Sequence, residues 1–192
     1  TITRDRCLTI SLGKGAAYNC GDLRLVHALP TIQTYTEPRT PALIYDSQHA
    51  APHPIISADV ILPSDSLLPP TVSESLKVAG VTRATATWAG SAWSATGTAR
   101  RVALSFDASS LATGVYPYTV TVTSNFTSGP LSTSASGNLI VVNRSASSGW
   151  WVAGVEQLFF PSDTSTRLWV GGDGSARLYH WVSANVWKAA SV

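Results

Sequence analysis

Apolar and polar residues alternate along several short stretches of the chain, and this period-two pattern predicts β-strands. In Leu8–Leu12, leucine and isoleucine alternate with threonine and serine, and Leu23–His27 shows a similar alternation. We find no window with the i, i+3, i+4 and i+7 apolar spacing of an amphipathic helix. The pattern therefore predicts an all-β protein.

The central region is predicted to form a β-sandwich, because short strands that recur at intervals of roughly 10–15 residues are typical of that architecture. Its candidate strands are Asp59–Leu62, Ser75–Val78, Ala84–Trp88, Arg101–Phe106, Val115–Thr123 and Gly137–Val142. Trp88–Trp93 is predicted to form a hairpin with a tryptophan at each end. Asp107–Val122 resembles the tyrosine corner of immunoglobulin-like and fibronectin-type domains, which implies that Tyr116 ties the preceding crossover to its strand. The alternative is an ordinary strand that carries two tyrosines.

The proline-rich segment Leu29–Pro54 is predicted to lie at an edge or outside the sheets, because proline cannot donate a hydrogen bond to a β-ladder. His49 and His53 lie in this segment, and only Asp46 is close to them in sequence. A metal would need more ligands, so we favour local packing or hydrogen bonding for both histidines.

The tail Gly149–Val192 contains five of the seven tryptophans. Each tryptophan can bury roughly 150–250 Å², whereas an isolated hairpin is at best marginally stable in water. The tail therefore needs a surface to lie on, either the rest of this chain or a neighbouring one. We predict an interaction surface made of its aromatic residues, which are Trp150, Trp151, Phe159, Phe160, Trp169, Tyr179, Trp181 and Trp187.

The composition narrows the classes of function. The chain has 192 residues, of which 12% are charged, and its net charge is +2. Because few like charges are present to repel a second copy, the composition favours association between copies. The basic residues are too scattered for a nucleic-acid footprint, and no run approaches the roughly 18 apolar residues of a membrane span. Catalytic and phosphate-binding motifs are lacking, so we predict a non-enzymatic protein without a metal or cofactor.

Cys7 and Cys20 are the only cysteines. In an oxidising compartment they would form a disulfide that closes a loop of about 14 residues and stabilises the fold by roughly 3 kcal/mol. The alternative is a pair of buried thiols, and the composition favours the disulfide. Asn125 and Asn143 each begin an Asn-x-Ser/Thr triplet, which makes them candidate glycosylation sites. Such triplets also arise often by chance.

The segment Asn143–Leu158 resembles the leading segment of RHS/YD-repeat proteins, in which Asn-Arg-Ser precedes a Gly-containing linker, Gly-Trp and an apolar strand. Leu168–Tyr179 resembles the hairpin that follows, with Gly-Asp-Gly at its turn. Three further stretches resemble the β-rich module found ahead of the repeats in some of these proteins, namely Cys7–Ile10, Tyr18–Arg24 and Tyr45–Ala50. The resemblance implies a large secreted or surface-exposed bacterial protein, whose repeats form a spiralling β-sheet that can close around a toxin. Because the sequence stops after about one hairpin, we expect a β-module with an open strand edge rather than a closed shell.

These observations lead to three hypotheses of function. The first is an extracellular structural or adhesive module that forms homo-oligomers or polymers through exposed strands, with a filament as one form of assembly. The second is an N-terminal domain of a larger RHS-type surface or toxin-delivery protein. The third is a module that binds cell-surface glycans through its tryptophans. The predicted organisation is an N-terminal β-subdomain with a proline-rich crossover at 1–54, an immunoglobulin- or fibronectin-like sandwich at 55–144, and an RHS-like hairpin tail at 145–192.

Overall fold

A computed structural model describes residues 9–13, 16–19, 22–62, 67–93, 97–161 and 164–190. The fold is all-β, as the alternation predicts. Its strands are β1 Thr9–Gly13, β2 Ala16–Asn19, β3 Asp22–Ala28, β4 Ile32–Gln33, β5 Pro38–Arg39, β6 Ala42–Asp46, β7 Ile55–Ile61, β8 Thr71–Val78, β9 Val81–Ala89, β10 Ala99–Ser105, β11 Gly114–Phe126, β12 Gly129–Val141, β13 Trp150–Val152, β14 Gln157–Phe159, β15 Thr166–Val170, β16 Ala176–Ser183 and β17 Val186–Ala189. Helical structure in the described residues is limited to helix α1 at Ser47–Ala50 and 3₁₀ turns at Gly90–Ala92 and Ser145–Ser147.

Contacts divide the chain into two compact units. The first unit takes its described residues from Thr1–Pro52, Ala108–Gly114 and Ile140–Val192, and the second from His53–Asp107 and Val115–Leu139. Residues of the predicted N-terminal subdomain and of the predicted tail thus belong to one unit. Cys7 and Cys20 lie outside the described residues, so their disulfide stays a prediction.

The first unit contains a five-stranded antiparallel sheet in the order β1-β2-β3-β6-β13. The first strand of the tail, β13, lies at the edge of this sheet and pairs with β6. Trp150 lies opposite Tyr45, and Trp151 lies opposite Ile44. The beginning of the tail therefore finds its partner strand within its own chain.

The prediction that Leu29–Pro54 lies at an edge or outside the sheets is wrong for its central part. Strand β6 is flanked on both sides in the five-stranded sheet, by β3 and β13. The prolines stand before and after Ala42–Asp46 and leave this stretch free to donate every ladder hydrogen bond. Two of the remaining residues before it, Ile32 and Gln33, form only a short separate ladder with β5.

The tail forms a second sheet of the first unit, with four strands in the order β14-β15-β16-β17. Each pair of neighbouring strands in this sheet is antiparallel. Short turns join β15 to β16 and β16 to β17, and Asn185 adopts a positive φ of 62° in the second of these turns. Asparagine tolerates this left-handed conformation better than most residues.

The second unit contains a four-stranded sheet in the order β12-β11-β8-β9 and a two-stranded ladder of β10 and β7. Its buried residues include a cluster of Leu62, Val72, Trp93 and Val102. Strand β8 alternates strictly, since Val72, Glu74, Leu76 and Val78 are buried and the residues between them are not. The all-β class is thus confirmed, whereas the immunoglobulin- or fibronectin-like topology stays a prediction.

The predicted hairpin at Trp88–Trp93 is wrong. Strand β9 ends at Ala89, and Gly90–Ala92 forms a 3₁₀ turn. The backbone of Gly90 packs directly on Pro69, because a Cβ built at Gly90 would lie 1.6 Å from the Pro69 carbonyl oxygen. This close approach, which only glycine permits, redirects the chain and brings Trp93 into the core at 2% exposure.

Candidate interaction surface

The tail sheet has one buried face and one open face. On β15, Thr166, Leu168 and Val170 are buried, whereas Arg167 and Trp169 between them are only half-buried. Side chains of directly opposed residues on neighbouring strands share a face. The buried face accordingly continues from Leu168 to its partner Leu178 on β16. Beyond Leu178, His180 and Val182 on the same face are exposed, so the sheet is buried on one side only along β15 and the first half of β16.

The open face carries the aromatic residues. Trp169 lies opposite Leu158 on β14, and Trp181 lies opposite Trp187 on β17. Tyr179 joins them because it lies two residues before Trp181 on β16. Leu158 is 52% exposed and Trp181 is 53% exposed. We call this set the aromatic face, which consists of Leu158, Trp169, Tyr179, Trp181 and Trp187.

Arg167 fixes two aromatic rings at this face. Its guanidinium carbon lies 4.6 Å from the centre of the Trp187 ring and 4.9 Å from that of Phe160. One of its nitrogens, Nη1, also donates a 2.6 Å hydrogen bond to the Thr166 carbonyl oxygen. Each cation–π contact of this kind is worth about 0.5–1 kcal/mol at an exposed site. Phe160, which is 69% exposed, is thereby held at the rim of the aromatic face.

A carboxylate orients the indole of Trp169. Its Nε1–H donates a 3.1 Å hydrogen bond to Oε2 of Glu156. A tryptophan whose N–H is satisfied in this way presents the remainder of its ring as apolar surface. The aromatic face therefore displays rings in defined orientations.

The other predicted surface residues lie elsewhere. Phe159 lies opposite Leu168, on the side of the tail sheet that faces away from the aromatic face. Trp150 and Trp151 belong to the five-stranded sheet. Trp150 is half-buried and packs against Tyr45 at 5.4 Å between ring centres. Trp151 is only 7% exposed, so it is not available as an interaction surface.

Trp151 instead joins the two sheets of the first unit. Its Nε1–H donates a buried 2.8 Å hydrogen bond to the carbonyl oxygen of Gly172, in the turn between β15 and β16. The Arg144 guanidinium carbon lies 4.7 Å from the centre of its ring, and the His49 ring centre lies 5.4 Å away. A Cβ at Gly172 would lie 2.4 Å from the Gly154 nitrogen, so the backbones at this junction touch.

A cluster of buried polar groups lies beside this indole, in and around helix α1. Oδ1 of Asp46 accepts hydrogen bonds from the backbone nitrogens of Gln48 and His49 and so caps the helix. Burial raises the pKa of the Asp46 carboxyl, and burial lowers the pKa of the His49 imidazole despite the opposing attraction of Asp46. The nearest approach of the two groups, Nδ1 to Oδ2, is 3.8 Å, which is too long for a hydrogen bond.

The Ser47 hydroxyl connects helix α1 to the first residues of β3. The Ser47 hydroxyl donates a 2.5 Å hydrogen bond to Oδ1 of Asp22 and accepts one from the Leu23 nitrogen. Across the described residues, no group of three or more His, Cys, Asp and Glu side chains could hold a metal ion.

The turn before β16 is stabilised by its own aspartate. Oδ1 of Asp173 accepts hydrogen bonds from the nitrogen and hydroxyl of Ser175, at 2.9 and 2.6 Å. These bonds lower the pKa of the Asp173 carboxyl. Gly174 adopts a φ of 86°, which the turn requires. The Gly-Asp-Gly sequence is therefore explained by turn geometry.

Asn143 ties down the crossover between β10 and β11. Its Nδ2 donates to the carbonyl oxygens of Ser109 and Leu111 at 2.8 and 2.6 Å, and its backbone bonds to the Thr113 hydroxyl. A glycan on Nδ2 would replace one of its two hydrogens, so this bonding disfavours modification of Asn143 in the folded chain. The sequence triplet gave no sign of this role.

The two remaining predicted sites lie on β11. Nδ2 of Asn125 lies 3.2 Å from the Thr71 hydroxyl and 3.3 Å from that of Ser73, so this candidate glycosylation site is also engaged within the fold. Tyr116 is half-buried. Its part in a tyrosine corner stays a prediction.

No protein-family model matches the chain, and no curated protein does. Within the described residues, no helix is both long enough and apolar enough to cross a membrane.

Proposed function

We propose that the protein is a non-enzymatic extracellular structural module that associates with other copies of itself. The aromatic face of the tail sheet supports this proposal. It places two side chains that are more than half exposed, Leu158 and Trp181, beside three half-buried aromatic rings. Exposed apolar and aromatic side chains that cluster on one face, with Arg167 and Arg177 among them, fit a site of association.

The side chains at the edges of the tail sheet favour the same function. Strands β14 and β17 form its two outer edges, and apolar side chains lie exposed on them, including Leu158 and Val186. Because these strands have only three and four residues, they offer little backbone for strand addition. The side chains therefore carry the proposed contact, and a heterologous contact that does not close generates a filament.

The decisive experiment replaces the two most exposed residues of the aromatic face and leaves its three half-buried rings unchanged. We would substitute Leu158→Ser together with Trp181→Ser and measure the mass of the protein by sedimentation velocity over a wide concentration range. The matched control substitutes Ile55→Ser and Ile61→Ser, which are 70% and 61% exposed in the second unit. We expect the natural chain and the control to associate, and the tail variant to lose this association and form at most a weak dimer at the highest concentrations. Association of all three proteins to the same extent would contradict the proposal.

Binding of cell-surface glycans is a second candidate, and one observation favours it. Trp169, Tyr179 and Trp187 present rings from three adjacent strands, with Arg177 on the same face opposite Trp169. Aromatic rings stack on the apolar faces of sugars, and arginine donates hydrogen bonds to hydroxyl or carboxylate groups. Quenching of tryptophan fluorescence by a cell-wall polysaccharide, lost in Trp169→Ala, would support it. No change in fluorescence across a glycan panel would exclude it.

The RHS-type hypothesis depends on the sequence motifs. It proposes that this chain leads a longer surface or toxin-delivery protein and that its tail is the start of a repeat region. The in-chain pairing of β13 with β6 is compatible with such a module. The mass of the chain isolated from its source would separate the hypotheses, since a chain of several hundred residues favours this one.

A further inference from the structure

A long strand edge of the second unit belongs to β12. This strand lies at one end of its sheet, and among the described residues no strand pairs with its outer side. It has 13 residues, and its side chains from Pro130 to Ser136 are all exposed. Proteins usually protect a long edge with lysine, proline, a bulge or a covering segment, and β12 has one proline, Pro130, at its second position. The sequence of Gly129–Val141 contains no charged residue.

The side chains of β12 are ordered by its inner neighbour β11. Three hydroxyl pairs join the two strands at 2.8–2.9 Å, and these are Thr119–Ser136, Thr121–Ser134 and Thr123–Ser132. On the other side of the strand, a Cβ at Gly137 would lie 2.7 Å from the Tyr118 hydroxyl, so the Tyr118 ring covers this glycine. The edge is therefore held in one register and leaves its outer backbone groups ready to pair.

The sequence of β12 is nearly symmetric about Ser134. In an antiparallel pair of two copies centred on this residue, Ser132 would lie opposite Ser136 of the second copy, and Thr133 opposite Ala135. Leu131, which is 61% exposed, would lie opposite Gly137, beside the Tyr118 ring that covers it. Every opposed pair is then uncharged and complementary in size, and the hydroxyl rows continue from one sheet into the next.

We propose that β12 pairs antiparallel with β12 of a second copy, with Ser134 on the two-fold axis, and joins two four-stranded sheets into one continuous sheet. This inference rests on the proposed self-association and assigns it a second contact, separate from the aromatic face. A pairing of about seven residues buries less than the roughly 1,200 Å² of a standard interface. The dimer is therefore weak and forms only at high protein concentration. An isologous contact at β12 and a further contact at the tail would together extend into a chain of copies.

Charge substitutions test the register. Thr133→Lys with Ala135→Lys places like charges opposite each other across the proposed axis, and so does Thr133→Glu with Ala135→Glu. In chains that also carry Leu158→Ser and Trp181→Ser, so that the tail contact is removed, we expect sedimentation velocity to show that each variant alone loses β12 pairing. An equal mixture of the two should regain it as a heterodimer. The control is Thr85→Lys with Thr87→Lys on β9, at the other edge of the same sheet, which is expected to leave pairing unchanged. Equal association of all variants, or a mixture no more associated than its components, would overturn the proposal.

Cross-linking provides a test that needs no charge. Ser134→Cys would place two thiols on the axis, close enough to form a disulfide under mild oxidation. We expect a covalent dimer from this variant and none from Thr87→Cys, with Leu158→Ser and Trp181→Ser also present in both chains so that the tail contact is removed. No dimer from Ser134→Cys would refute β12 pairing. If Leu158→Ser and Trp181→Ser nevertheless abolish the association that the natural chain shows, the proposed function stands without the β12 contact.

Discussion

Replacement of Trp151 tests whether the tail folds onto its own chain. This residue lies on β13, which pairs with β6 of the N-terminal sheet, and it bonds to the turn of the tail sheet. Trp151→Ala removes both the indole packing and the hydrogen bond at this junction. Trp151→Phe retains a ring but loses the Nε1–H donor.

The expected costs follow from burial. Truncation of a buried tryptophan to alanine costs about 3–5 kcal/mol, and Trp151 is only 7% exposed. Phenylalanine leaves the Gly172 carbonyl oxygen buried without its donor, which costs about 1–3 kcal/mol. For a chain of this size, each kcal/mol lowers the midpoint of thermal unfolding by roughly 2–4 °C. The order of stability is therefore natural chain, Trp151→Phe and Trp151→Ala.

The assay is urea denaturation followed by far-ultraviolet circular dichroism, which does not depend on the fluorescence of the substituted tryptophan. Trp181→Ala is the matched control, because Trp181 is 53% exposed and its loss is expected to cost about 0.5 kcal/mol or less. If Trp151→Ala is no more destabilising than Trp181→Ala, the tail does not dock on the N-terminal sheet in solution and the reasoning fails.

Three further predictions concern buried groups. Burial lowers the pKa of His49 below 6.5, so the stability that its neutral form provides is complete above that pH and is lost as the pH falls. Urea titrations from pH 7 to pH 5 should show a smaller loss of stability for His49→Gln than for the natural chain, and equal losses would contradict this. Glu74 is 2% exposed, and neither carboxylate oxygen has a partner in the described residues. Its pKa is raised by burial above 4.5, so its contribution favours folding only in acid and weakens as the pH rises. Glu74→Leu should stabilise the protein by about 1–3 kcal/mol at pH 7 and by less near pH 4, and a loss of stability at pH 7 would show that the carboxylate is bonded. Gly90→Ala should lower stability by at least about 1–3 kcal/mol, because its Cβ would lie 1.6 Å from the Pro69 carbonyl oxygen; an unchanged thermal midpoint would refute this.

The strands were predictable where they depend on local alternation. The candidate at Ala84–Trp88 lies within β9, and the candidate at Arg101–Phe106 overlaps β10 at all but its last residue. The predicted ends of these strands differ from the observed ends, because the turn residues in the sequence do not show where the backbone hydrogen bonds of a strand stop. The 3₁₀ turn after β9 depends on the contact of Gly90 with Pro69, which lies twenty-one residues earlier in the sequence.

The partners of the strands were not predictable from such patterns. Strand β13 pairs with β6, from which it is separated by about a hundred residues and the whole second unit. Local alternation shows that Trp169 and Leu168 point to opposite sides of β15, but it does not show which side becomes buried. For the same reason the sequence grouped Trp151 with the exposed rings, and it gave no reason to include Arg167, which holds Phe160 and Trp187.

Hydroxyl-radical footprinting of the tryptophans at low and high protein concentration tests the central claim most directly. We predict that Trp151 and Trp93 remain protected at every concentration, since the chain buries both of them itself. Trp181 and Trp187 should be oxidised in dilute protein and become protected as copies associate. Oxidation of Trp151 in dilute protein, or reactivity of Trp181 that does not change with concentration, would contradict the account.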